Sequence, residues 1–222
     1  MLIGERRRIL VFVEFALIAA VFLADWAHYL FLTKIIYLLP LAWASLWLRG
    51  LRWRDVGFRI YRNWGMTLAL GILAGAGIEL LELFVTQPML ASLTGKMPDL
   101  SAFERVAGNL KWLSISLAFT WTLFAVGEEL IYRGYLMNRI AALIGDTRIG
   151  WIIALVLSSL VFGLAHFEQG ITGVIENFID GMILGFLYLA FGRSLAVPIV
   201  AHGVTDTVDF LLIFFRQYPG MP

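Results

Sequence analysis

The sequence predicts an all-α fold, a polytopic transmembrane bundle of about seven to eight helices forming one integral-membrane domain over residues 1–222. Three observations lead there. Hydrophobic residues make up 60% of the chain and charged residues only 15%, and the mean hydropathy of +0.84 lies well above the soluble range. The apolar residues fall in runs close to the roughly 20 residues that span a bilayer. Arginines gather between some of these runs and avoid others, as loops on one side of a membrane do. A formal net charge of +1, from 17 basic and 16 acidic residues, gives no basic surface for a nucleic acid. Cysteine is absent, which excludes a disulfide framework, a thiolate nucleophile and cysteine-bound metal.

The first span reads as Ile9–Ala24, preceded by Arg6, Arg7 and Arg8. It has the basic start of a signal peptide, but no small-residue cleavage site follows, so it is expected to be retained. Ile35–Leu48 is the second span and Met66–Val85 the third, with Gly71, Gly75 and Gly77 spaced for close approach of a neighbouring helix. A fourth begins near Trp112, and Ile149–Phe167, Ile171–Ala190 and Leu195–Phe215 follow. An eighth, short or interfacial, has room between Gln87 and Lys111. Arg49, Arg52, Arg54, Arg59 and Arg62 follow the second span, and alternation puts Arg148 and Arg193 on the same side. By the positive-inside rule that side and the amino terminus are cytoplasmic, and the small size and brief loops point to a bacterial inner membrane.

Ionisable residues within spans are costly, at roughly 2.5–3.5 kcal/mol for an acid at a helix centre even on lenient scales, so each suggests a function. The densest group is AVGEELIYRG, with Glu128, Glu129 and Arg133. Arg133 stands four residues after Glu129, the spacing of helical neighbours, so that pair is expected to neutralise itself and leave Glu128 free. Glu128 and His166 lie at similar distances, about 25 Å by helical rise, from the turn at Gly145 and Asp146, so an antiparallel hairpin sets them at one depth. His202 and Asp206 are again four apart. Glu14, Glu79 and Glu82 are expected to pair with arginines or backbone across the bundle, Asp209 to be structural, and Glu176 and Asp180 to cap helices or hold water near a cavity.

These motifs resemble the CAAX protease and bacteriocin-processing (CPBP, or Abi) family of intramembrane proteases, which includes the type II CAAX prenyl endopeptidases. The family's two glutamates, three residues and an arginine are matched by Glu128, Glu129 and Arg133. Its phenylalanine, three residues and a histidine are matched by Phe162 to His166, and its final histidine motif by His202 and Asp206. The likeness runs from Leu117 to Asp209, and the earlier residues match only as membrane helices.

The resemblance implies a glutamic-type intramembrane endopeptidase acting on a membrane-associated or lipidated protein or peptide. Glu128 and His166 would activate water, and His202 would donate to the oxyanion. Asp206, where eukaryotic members are expected to carry Asn, would donate if protonated or orient His202. Glu129 and Arg133 would be supporting residues. No cofactor is expected. Zinc held by Glu128, His166, His202 and Asp206 is the alternative chemistry, although neither HExxH nor HxxEH occurs. A non-proteolytic bacteriocin-immunity or scaffold protein with the same polar core is the alternative function. The polar cavity is expected to open to the cytoplasm or sideways to lipid.

Overall fold

The computed structural model describes residues 2–220, with side chains from residue 10 onward, so the side chains of Arg6, Arg7 and Arg8 lie outside the described ones. Its helices are α1 (Leu2–Trp26), α2 (Lys34–Leu48), α3 (Trp64–Thr94), α4 (Leu110–Ile144), α5 (Arg148–Leu164), α6 (Gly170–Ala190) and α7 (Ala196–Phe214). No strand occurs among the described residues. The helices α3, α4, α6 and α7 are long and apolar enough to cross a membrane, while α2 and α5 are shorter apolar helices of 15 and 17 residues.

Helix starts follow from local chemistry. The side-chain oxygens of Asn63, Asn109 and Thr147 accept N–H bonds from Met66, Trp112 and Gly150, supplying acceptors to first turns that have none of their own. Two predicted ends are corrected. The third helix passes the expected stop at Val85 and runs to Thr94, because a wide π-type turn over Glu82–Thr86 lets the chain pass Pro88, which lacks an N–H and crowds the carbonyl one turn back. The short element foreseen between Gln87 and Lys111 is therefore two pieces, the end of α3 and a 3₁₀ turn at Ser101–Val106. The fifth helix stops at Leu164 instead of Phe167, which leaves His166 in a turn, with φ −107° and ψ 27°.

The molecule is apolar outside and charged inside. Phe12, Leu73 and Phe84 are each more than 70% exposed, whereas Glu129 is 0% and Arg133 1% exposed. That inversion suits hydrocarbon as solvent, and the chain is an integral membrane protein. At the α3–α7 contact a Cβ on Gly71 would meet Val200 at 2.4 Å and one on Gly75 the Ala201 carbonyl at 2.5 Å, so only glycine permits this approach. Gly77, grouped with them by spacing, has nothing within 4 Å and serves no contact. Glu14 behaves as expected: it pairs with Arg49, lies 3.4 Å from Arg139 and accepts from Ser45 Oγ at 2.8 Å, which ties α1, α2 and α4 together.

Candidate active site

The middle of α4 departs from ordinary helix. Wide π-type turns run through Thr120–Glu128 and Leu130–Met137, a form concentrated at functional sites in proteins generally. Glu128 and Glu129 stand where the two segments meet. The preceding Gly127 lets α2 pack here, since a Cβ there would lie 2.6 Å from Ile35.

The expected pairing of Glu129 holds. Arg133 Nη1 donates to Glu129 Oε1 at 2.5 Å, both side chains being fully buried, and Arg133 Nη2 reaches the Gly181 carbonyl of α6 at 3.3 Å. The same carboxylate oxygen receives a second partner that the spacing did not reveal, His202 Nδ1 at 3.0 Å. A carboxylate on Nδ1 sets the tautomer and turns Nε2 outward. Nε2 then stands 3.5 Å from Asp206 Oδ1 and 4.0 Å from Glu128 Oε2. His202 is steadied by its neighbour Gly203, against which the Trp121 ring packs so closely that a Cβ would lie 2.6 Å from it.

His166 is oriented by the end of its helix. Its Nδ1 lies 2.8 Å from the Phe162 carbonyl, one of the acceptors left free at a helix terminus, so Nδ1 donates and Nε2 keeps its lone pair. Phe162 joins the parts of the site. Its ring takes the Arg133 guanidinium at 4.5 Å and has edge contacts with Tyr132 and His166 at 4.9 Å and with His202 at 6.1 Å. Spacing marked Phe162 as part of a motif, but its role as the common wall of both histidines is visible only in the fold.

Glu128, His166, His202 and Asp206 all line one cavity of about 620 Å³, within the usual range for ligand sites. Glu129 and Arg133 stand behind it. Its lining reaches the end of α1, the start of α2 and the turns after α3 and α5, through Asp25, Lys34, Ser101 and Glu168. This is the face opposite the arginine-rich turns. Among the described residues, none from the arginine-rich turns, on the face expected to be cytoplasmic, lines the cavity.

Further acids reach the same space. Glu82, Glu176, Asp180 and Asp209 line the cavity, and Glu79 lies beside them, its oxygens without partners. The expected pairing across the bundle thus fails for Glu79, and Asp209, expected to be structural, also lines the cavity. Carboxylate oxygens of Glu79, Glu82 and Asp209 lie within 4.8 Å of one another, the one such three-ligand group among the described residues. The four residues foreseen for zinc are not drawn together to that degree, although Nε2 of His202 lies between two of their carboxylates.

Residues 110–208 match the model of the family described as Rce1-like, type II CAAX prenyl endopeptidase Rce1-like. The matched segment holds all three motifs, from Glu128 through His166 to Asp206. Neither the curated proteins nor the solved structures yield a match. Over residues 110–208, which supply much of the cavity's lining, the chain is thus similar to the Rce1-like type II CAAX prenyl endopeptidases.

Proposed function

We propose that the protein is an intramembrane endopeptidase that hydrolyses a peptide bond of a membrane-associated or lipidated protein, using water activated by Glu128 and His166. One observation carries the reading. Of the two adjacent glutamates, Glu129 is occupied by Arg133 and His202, while Glu128 remains on the cavity facing the same space as His166.

Each step then has a residue. Water lies between the Glu128 carboxylate and His166 Nε2, both acceptors, and Glu128 takes one of its protons as the oxygen attacks the scissile carbonyl. The carbonyl oxygen gains the negative charge. His202, protonated at both nitrogens, donates Nδ1–H to Glu129 and Nε2–H to that oxyanion, and Asp206 at 3.5 Å holds the ring in place. When the tetrahedral species collapses, the C–N bond breaks and the amine takes the proton from Glu128. One water is consumed and the site returns to its starting state. Phe162 and Arg133 keep the two imidazoles in register but touch no reacting atom.

Glu128→Gln keeps the shape and removes the base. In detergent, with a peptide library read by mass spectrometry, the variant is expected to melt like wild type and to cut about 10²–10⁴-fold more slowly. Undiminished cleavage removes Glu128 from the mechanism.

A zinc-dependent version is the second reading, favoured by Nε2 of His202 lying between Asp206 and Glu128. Zinc would act there as a Lewis acid on the carbonyl. The metal-free route is expected to keep its full rate after dialysis against a strong chelator, and loss restored by added zinc would replace it.

A further inference from the structure

The cavity is lined by the loops of one face of the bundle, and its inner wall is acidic. The turns between α2 and α3 and between α6 and α7 carry Arg49, Arg52, Arg54, Arg59, Arg62 and Arg193, and Arg148 opens α5 at the same face. Arg6 to Arg8 fall in the opening turns of α1, at the same face. The opposite turns hold Lys34, Lys96, Arg105, Lys111 and Arg216, offset by Asp25, Asp99, Glu104 and Glu168. The bias of Lys and Arg sets the arginine-rich face toward the cytoplasm. Every loop that lines the cavity belongs to the other face.

The wall has a second peculiarity. Beyond Glu128 and His202 it carries Glu82, Glu176, Asp180 and Asp209, while among the described residues Lys34 is the one lysine or arginine lining the cavity, and it is held by Asp25 at 2.8 Å. Glu176 is 5% exposed, lines the cavity, and has one oxygen without a partner, as have Asp180 and Asp209. Buried carboxylate oxygens without donors are unfavourable, and an ammonium or guanidinium supplies both donors and opposite charge. An isoprenoid chain seated there would leave them unpaired.

We infer that the site serves the membrane face opposite the cytoplasm and takes there a polypeptide segment bearing a lysine or arginine beside its scissile bond. This deepens the proteolytic reading and rests on it. Cytoplasmic prenylated tails are on the wrong side, whereas secreted peptides and the outer ends of single-span proteins are on the right one. The acidic wall receives the basic side chain, and the adjoining peptide bond then lies against Glu128 and His166.

The chain has no cysteine, so single replacements report sidedness without background. In intact cells a membrane-impermeant maleimide is expected to label Ser101→Cys, in a loop that lines the cavity, and to reach Arg54→Cys only after permeabilisation. The reverse pattern overturns the sidedness even if proteolysis is real. Four single-span reporters, with a Lys-Lys or Glu-Glu tail leaving on either face, test the chemistry. Cleavage of the outward Lys-Lys tail at least ten-fold faster than the other three is the expected result. Equal treatment of lysine and glutamate tails, including cleavage of neither, overturns the cationic specificity. The proteolytic reading fails separately, by peptide termini in cells that do not change between wild type and Glu128→Gln.

Discussion

Glu129 is the residue on which the candidate site turns, because one of its oxygens binds both the Arg133 guanidinium and the His202 imidazole. Breaking a buried ion pair from one side strands the other charge, at about 3–5 kcal/mol. Arg133→Ala is therefore expected to lower stability by about that much in denaturant unfolding in detergent, and wild-type stability with lost cleavage would place Arg133 on the substrate instead. The Glu129–Arg133 pair was legible in the sequence, since neighbours four apart in a helix meet. The Glu129–His202 bond was not. Its partners lie 73 positions apart, and nothing local to either announces the other. The same holds for Glu79, whose expected partner across the bundle is absent because its neighbours are carboxylates.

Elements were readable where apolar length and caps decide them and less so where the helix changes form. The spans and their order follow from hydrophobic runs, and Asn63, Asn109 and Thr147 cap helices much where those runs begin. The wide turns of α3 and α4 carry no residue signature, and Pro88 read as a stop because the turn that accommodates it depends on backbone bonding alone. Glycine spacing foretold a close helix contact on α3 but neither its partner α7 nor which glycine is packed and which faces lipid. Gly75→Val forces a branched side chain into the Ala201 carbonyl and is expected to cost about 1–3 kcal/mol or more in unfolding. Gly77→Ala meets open space and is expected to be neutral or to stabilise by up to about 1 kcal/mol. Equal effects of the two would dissolve the close α3–α7 packing.

At the scale of the molecule, the bundle collects polar groups from α4, the end of α5 and α7 around one cavity, and the first two helices contribute the Asp25–Lys34 ion pair to its lining. Membrane insertion and the meeting of Glu128 and His166 at one cavity were legible, because they follow from hydropathy and helical rise. The face toward which the cavity's lining extends was not, since it depends on which ends of α3, α5 and α7 carry the wide turn, the broken helix and the acids. The central claim is proteolysis by Glu128. Its most direct test compares the termini of membrane-protein and secreted peptides, by mass spectrometry, between cells carrying wild type and cells carrying Glu128→Gln at equal abundance. A defined set of termini present only with wild type is the expected result and identifies the scissile bond. Identical termini in both, with the wild-type phenotype retained, would contradict the account and make the polar core a binding or packing device.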